Sequence, residues 1–124
     1  MANGKTILVV DDDPGARHLL KFVLAKTSCE IICVSSGAQA MELATHQTVD
    51  LLVTDIMMSE MNGFELTRTL RQLPAYAELP VILLSARGQI DYLEEIGQND
   101  RVVMMTKPFS PIELIAQIKL LLKL

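Results

Sequence analysis

Five short apolar runs, each separated from the next by a helix-like segment, constrain the fold of this chain more than any other feature. The runs are KTILVV (5–10), EIICV (30–34), DLLVT (50–54), PVILLS (80–85) and RVVMM (101–105). Each is rich in Val, Ile or Leu and is typical of a strand buried on both faces. Helical spacing of apolar residues predicts helices over 14–26, 37–46, 63–73, 88–97 and 110–123. The alternation predicts an α/β fold, with a doubly wound parallel sheet covered by helices on both faces.

The composition fits one compact domain and argues against several functional classes. The chain has 124 residues, of which 50% are hydrophobic, and this is enough for a single domain (1–124) with its own core. No apolar run reaches membrane-spanning length, and the N-terminus lacks a secretory-signal pattern. We therefore expect a cytoplasmic protein without a membrane segment. A net charge of −4 argues against direct nucleic-acid binding by this domain.

Chemistry-bearing side chains cluster where the predicted strands end. In a parallel sheet these carboxyl ends share one edge, and ligands bind there. Strands one, three, four and five lead into Asp11, Asp12, Asp13, Asp55, Ser85, Thr106 and Lys107. Asp13 precedes Pro14, a pair typical of a helix N-cap and first helical position, so we assign Asp13 to capping. Asp11, Asp12 and Asp55 remain at the edge, and three carboxylates predict a bound cation, for which Mg²⁺ is the best match.

Four segments together resemble the signatures of response-regulator receiver domains, the phosphorylated modules of two-component signalling. They are VVDDDP, DLLVTDIMMSEMNGFEL, PVILLSAR and TKPF, in the family's order and spacing, and the match covers nearly the whole chain. The resemblance implies a flavodoxin-like (βα)₅ fold with strand order 2-1-3-4-5. It also implies a partner, a sensor histidine kinase or a histidine phosphotransfer protein, as phosphodonor. Such a domain is not an enzyme beyond catalysing its own phosphorylation and dephosphorylation.

The resemblance also implies a role for each residue at this edge. Asp55 would be the phosphoacceptor, with Ser85 and Lys107 contacting the phosphoryl group. The implied Mg²⁺ ligands are Asp11, Asp12, Asp55 and the backbone carbonyl of Met57. A loose phosphoryl-transfer transition state needs in-line positioning and positive charge near its equatorial oxygens, which this set would supply. Pro108 matches the family's proline after the lysine, where the peptide bond is often cis.

Three departures from the family pattern bear on signalling. Ser59 stands where proline is usual in the loop after Asp55. Met104 stands where an aromatic residue usually moves inward together with the hydroxyl residue, here Ser85, so the usual switch is altered. Met57 and Arg87 occupy the two positions that flank the hydrolytic water. A thioether is a weak acceptor and a guanidinium is a donor only, so we expect slow loss of the phosphoryl group.

The C-terminal segment ELIAQIKLLLKL carries two apolar stripes. We expect the stripe of Ile115, Ile118 and Leu122 to pack on the sheet. The second stripe, formed by Leu114, Leu121 and Leu124, is then expected to be exposed, as an interface for a homodimer or an output module. In the family, the face of the fourth helix, fifth strand and fifth helix commonly has this role.

Two alternatives compete with the receiver assignment. The DDDPG segment also resembles the start of haloacid-dehalogenase-type phosphatases, in which Asp11 would be the nucleophile and Asp13 the acid or base. The short chain and the absence of a second acidic pair after Lys107 argue against it. A flavin-binding flavodoxin is disfavoured because no phosphate-binding loop follows the first strand.

Overall fold

The five strands form one parallel sheet in the order β2-β1-β3-β4-β5. The computed structural model describes residues 3–86 and 101–124. The strands are β1 (Thr6–Val10), β2 (Glu30–Val34), β3 (Leu51–Asp55), β4 (Val81–Ser85) and β5 (Val102–Thr106). The predicted fold class and strand order are therefore confirmed. The predicted helix over 88–97 and Arg87 lie outside the described residues.

Within residues 3–86 and 101–124, four helices pack on this sheet: α1 (Pro14–Leu24), α2 (Gly37–His46), α3 (Gly63–Arg71) and a C-terminal helix (Pro111–Leu122). Each begins after a polar residue whose side chain accepts a backbone N–H of the first turn, namely Asp13, Ser36, Asn62 or Ser110. The predicted bounds of α2 are correct. Helix α1 ends earlier than predicted because the chain tightens into a 3₁₀ turn over Ala25–Thr27 and then reverses at Ser28, where φ is 63°. Within the described ranges, no helix is long and apolar enough to cross a membrane.

Side chains alternate along each central strand between two apolar layers. Along β1, Leu8 and Val10 face the layer under α2 and α3, which also contains Phe64 and Leu70. The intervening residues, such as Val9, face the layer under α1 and the C-terminal helix. All five β1 residues are buried. The carboxyl ends of β1 and β3 are therefore held rigidly between two packed layers.

The C-terminal helix packs differently from the sequence-based expectation. Leu114 is fully buried together with Ile118 and Leu122 against β1, β3 and β4. Leu121 and Ile115 are half-buried against the same cluster, whereas Leu124 is exposed. The predicted exposed stripe is thus wrong at Leu114 and Leu121. The reason is that the inward-facing row runs at i, i+4 and i+8 from Leu114, and the surrounding sequence is apolar on nearly every side.

Candidate functional site

Three carboxylates converge at the carboxyl end of the sheet. Asp11, Asp12 and Asp55 each place one oxygen so that all three oxygens lie within 4.8 Å of one another. Asp11 follows β1 and is fully buried, Asp55 closes β3 and is half-buried, and Asp12 is exposed. A few hard oxygen ligands with one side open to water are the donor set that Mg²⁺ prefers. The residues present therefore fit that ion.

The side chain of Lys107 joins the buried part of this cluster. Its Nζ lies 3.2 Å from Oδ2 of Asp11 and 3.4 Å from Oδ2 of Asp55. Burial by itself would lower the pKa of the Lys107 ammonium, but the two carboxylates outweigh burial and raise its pKa above the ordinary value. Lys107 is therefore a permanent cation at this edge, and it bridges the strands that carry both acids.

Asp55 has the electrostatic environment of a reactive carboxylate. Burial raises the pKa of its carboxyl, and the nearby Asp11 adds to the rise. The Lys107 ammonium and a hydrogen bond from the backbone N–H of Met57 act in the opposite direction without cancelling it. Asp55 is thus a desolvated carboxylate near one fixed cation, and desolvation favours its action as a nucleophile.

The loop after β1 separates the three consecutive aspartates into different roles. Asp13 accepts a hydrogen bond from the N–H of Ala16 at 3.0 Å, as predicted for an N-cap. Asp11 accepts one from the N–H of Asp13 at 3.0 Å, which turns its carboxylate inward. Arg17 then donates to the carbonyl of Asp11 at 2.7 Å. Sequence reasoning missed Arg17, and the signal that could have found it is its position four residues after the N-cap, one helical turn from the loop.

The loop after Asp55 is held by close backbone packing. The N–H of Gly63 donates to the carbonyl of Ile56 at 2.9 Å. A Cβ at Gly63 would lie 2.5 Å from the carbonyl oxygen of Asp55, so no larger residue fits without moving the main chain of Asp55. Asn62 and Glu65 form a reciprocal capping box that begins α3. The Asn62-Gly63 pair thus does more than make a turn, because it fixes the position of the Asp55 main chain.

The remaining predicted residues lie at the same edge, in the middle of β5 or outside the described residues. Ser85, the last residue of β4, is buried, and its hydroxyl donates to the carbonyl of Met105 at 3.5 Å. Met104 is half-buried against the layer under α2 and α3. Met57 is 59% exposed. The Lys107–Pro108 peptide is cis. Arg87 lies outside the described residues.

The fold and site together define a class of protein, and comparison with known families names it. The family model described as "Response regulator receiver domain" matches residues 7–119. The chain is 37% identical over 125 residues to the transcriptional regulatory protein GltR of Pseudomonas aeruginosa, with 98% of this chain and 50% of GltR covered. It is 38% identical over 120 residues to the transcriptional regulatory protein SrrA of Staphylococcus aureus, with 94% of this chain and 47% of SrrA covered. The chain belongs to the response-regulator receiver family of two-component systems.

A further relative and a solved structure are similar to this chain over most of their own length. A 14.6 kDa protein of Leptolyngbya boryana is 38% identical over 109 residues, which cover 88% of this chain and 83% of that protein. Among solved structures, a response regulator receiver protein from Sinorhizobium medicae matches with a TM-score of 0.85 at 27% identity, over 98% of this chain and 96% of that one. The chain spans about half the length of GltR and SrrA.

Proposed function

We propose that this domain, residues 1–124, receives a phosphoryl group on Asp55 from a phosphohistidine. The observation that carries the proposal is the joint placement of Asp55 with Lys107 at 3.4 Å and with two further carboxylates within 4.8 Å. A carboxylate oxygen of Asp55 would attack phosphorus as the bond from phosphorus to the donor imidazole nitrogen breaks. Lys107 would remain beside the phosphoryl oxygens and stabilise their charge.

The proposed metal site uses the acidic cluster. Asp11, Asp12 and Asp55, with the backbone carbonyl of Met57, would hold Mg²⁺, which when bound supplies positive charge to the phosphoryl oxygens. Lys107 neutralises part of the buried negative charge within the chain itself. Asp12 is the exposed member of the group, so its carboxylate can meet a hydrated ion from the solvent side.

The acceptor assignment is tested by intact mass after incubation with acetyl phosphate and Mg²⁺. Asp55→Asn should give no phospho-adduct, because an amide is not a competent nucleophile. Asp50→Asn is the matched control, since Asp50 immediately precedes the same strand at its other end. It accepts a hydrogen bond from the N–H of Thr6 at 2.8 Å, which asparagine can retain. We expect full phosphorylation of this control. An adduct on the Asp55→Asn protein would contradict the proposal.

The phosphatase alternative makes a different prediction about which aspartate is modified. In that mechanism Asp11 would carry the phosphoryl group. Its side chain is fully buried and held by Lys107, and the family assignment gives no support to that alternative. Peptide mapping of the phosphorylated protein separates the two, because Asp11 and Asp55 fall in different peptides.

The proposed donor is a sensor histidine kinase or a histidine phosphotransfer protein, which this domain would meet in the cytoplasm. A groove of about 440 Å³ next to Lys107 is lined mainly by apolar residues of α1 and of the segment before the C-terminal helix, including Ala16, Leu20 and Phe109. Leu19 and Phe22 on α1 are 52% and 68% exposed. An apolar groove that borders Lys107, which contacts Asp55, suits a protein that must bring a histidine to Asp55.

Two phosphodonors distinguish docking from chemistry. Leu19→Glu with Phe22→Glu should slow phosphotransfer from the kinase while leaving phosphorylation by acetyl phosphate unchanged, since the small donor needs no docking surface. Equal rates from the kinase in parent and variant would refute the docking surface. Equal slowing with both donors would instead indicate damage to the fold.

The signal would leave through Ser85, Met104 and the face formed by β5 and the C-terminal helix. Ser85 pairs with Thr106 across β4 and β5, so movement of Ser85 toward a phosphoryl group would shift the end of β5. Met104 would replace the usual aromatic residue, because a flexible thioether can fill the same space. Ile112, Leu120 and Leu124 are the exposed apolar side chains of this helix region, and they replace Leu114 and Leu121 as the proposed contact for an output module or a second copy.

A long-lived phosphoryl group is a further part of the proposal. Met57 and Arg87 offer no strong acceptor to the hydrolytic water. The decay of phospho-Asp55 should therefore be faster in the variant that combines Met57→Asn with Arg87→Glu than in the parent. Equal decay would show that these positions do not control the lifetime.

A further inference from the structure

The loop after Asp55 contains three methionines whose surroundings differ sharply. Met57 is 59% exposed. Met58 and Met61 are half-buried and pack against the apolar layer under α2 and α3. The hydroxyl of Thr54 lies 4.0 Å from the sulfur of Met58. A Cβ at Gly37 would lie 2.6 Å from the sulfur of Met61, so that thioether is packed against α2. Met57 is therefore the most exposed of the three to a solvent-borne oxidant.

The exposed methionine is also coupled directly to the acceptor. The backbone N–H of Met57 is hydrogen-bonded to the Asp55 carboxylate. The Cα of Met57 is bonded to that nitrogen, so the side chain begins close to the carboxylate that would carry the phosphoryl group. Because the side chain contributes little to the core, oxidation there changes the chemistry next to Asp55 without removing packing that the fold needs.

We propose that Met57 is an oxidation site through which peroxide shortens the lifetime of the phosphoryl group on Asp55, an inference that rests on the proposed function. A sulfur–oxygen bond forms while the oxygen–oxygen bond of hydrogen peroxide breaks. The sulfur is oxidised by two electrons, and the second peroxide oxygen leaves as water with the proton of the transferred hydroxyl. The product, methionine sulfoxide, is reversible by reductases.

The sulfoxide changes what the side chain offers to water. A thioether is only a weak hydrogen-bond acceptor, whereas the sulfoxide oxygen is strongly polar. It can accept a hydrogen bond from a water molecule beside the phosphoryl group and orient that water for attack. The new oxygen–phosphorus bond forms as the bond from phosphorus to the Asp55 oxygen breaks, which releases phosphate, with the water proton, and restores the carboxylate.

The first part of the test measures where oxidation occurs. The full chain is treated with dilute hydrogen peroxide, and peptide mapping follows oxidation of the three methionines over time. Met57 should be oxidised before Met58 and Met61, with the melting temperature unchanged. Oxidation of all three at one rate, or of Met58 or Met61 before Met57, would overturn the inference.

The second part measures decay of phospho-Asp55 before and after oxidation. Decay should become faster by on the order of tenfold, the effect of one added hydrogen bond in the transition state, and methionine sulfoxide reductase should reverse the change. Met57→Leu should show no response to peroxide, and Met57→Gln should decay faster without peroxide, because its amide oxygen is an acceptor of similar reach. A phosphorylated protein whose decay ignores oxidation overturns the inference alone. A protein that never gains the phosphoryl group overturns the proposed function and the inference with it.

Discussion

The two ends of the parallel sheet differ in how their polar side chains are paired. At the amino end, before β3 and β4, polar groups are paired with the backbone. The hydroxyl of Tyr76 donates to the carbonyls of Ala44 at 2.7 Å and Gln47 at 3.0 Å, and accepts from the N–H of Val49 at 3.2 Å. Asp50 accepts from the N–H of Thr6 at 2.8 Å. At this end, the polar groups of Tyr76 and Asp50 are hydrogen-bonded within the chain, and these bonds stabilise the fold.

At the carboxyl end, the described polar groups include three acids and one ammonium. Among the described residues, the ammonium of Lys107 contacts buried Asp11 and half-buried Asp55 but not exposed Asp12. The backbone there is also crowded at Gly63. The contrast teaches that, among the described residues, the sheet edge where parallel sheets bind ligands is also the one that gathers acidic side chains around a single ammonium.

Both ends rest on one apolar core, so the largest expected effect comes from breaking that core. Leu114 is fully buried against the central strands. Leu114→Glu would bury an unpaired carboxylate and should cost more than about 4 kcal/mol in the free energy of unfolding, enough to unfold much of the protein. Circular dichroism and acetyl-phosphate labelling should be lost together.

A neighbouring position on the same helix is the matched control for that variant. Leu120 is 72% exposed. Leu120→Glu should change the free energy of unfolding by less than about 0.5 kcal/mol, because the new charge remains in water. A stable, phosphorylatable Leu114→Glu protein would contradict the packing described for this helix.

The amino end can be weakened without touching the chemistry. Tyr76→Phe keeps the ring but removes the hydroxyl, leaving the buried N–H of Val49 without its acceptor. We expect a loss of about 1–3 kcal/mol in the free energy of unfolding, measured by urea denaturation. The rate of Asp55 phosphorylation under native conditions should not change. A variant that lost phosphorylation while keeping its stability would abolish the distinction between the two ends.

The carboxyl end should be stabilised from outside rather than by the chain. Mg²⁺ at ten times its dissociation constant should raise the free energy of unfolding by about 1.4 kcal/mol through binding to the native state. Asp12→Asn should remove this response and should raise the stability of the metal-free protein, because it relieves repulsion among the acids. Thermal melts with and without Mg²⁺ measure both effects. A melting temperature indifferent to Mg²⁺ would refute the metal site.

The fold was largely predictable because several local signals agree. Strand positions followed from the apolar runs, and α2 followed from the helical spacing of its apolar residues; in the structure Ser36 caps its start. The C-terminal helix was predicted as an element, but its orientation was not. Apolar residues surround most of that helix, so spacing could not decide whether Leu114 or Ile115 faces the sheet, and tertiary packing made the choice.

The acidic cluster was predictable in the same way, since strand ends place its members at one edge. What the sequence could not predict are contacts set by tertiary distance. The double contact of Lys107 depends on the placement of β5, which is separated from β1 by two strands, β3 and β4. The crowding at Gly63 depends on how α3 returns to Asp55. Arg17 contacts the site by donating a hydrogen bond to the backbone carbonyl of Asp11, and a contact to a backbone group has no sequence signature.

The smallest expected effect concerns backbone strain in the loop beside the acceptor. Glu60 has φ of 70°, in the left-handed region, which costs a non-glycine residue about 1–2 kcal/mol. Glu60→Gly removes that cost but adds freedom to the unfolded chain worth about 0.4–1 kcal/mol. The difference should be a gain of about 0.5–1 kcal/mol in the free energy of unfolding. Ser59→Gly is the matched control: Ser59 is not among the described residues with positive φ, so glycine there should destabilise by about 0.4–1 kcal/mol. Urea denaturation of the two variants beside the parent should therefore show shifts of opposite sign. Shifts of the same sign would mean that the carboxyl end does not store strain at Glu60, and its difference from the amino end would then be one of charge alone.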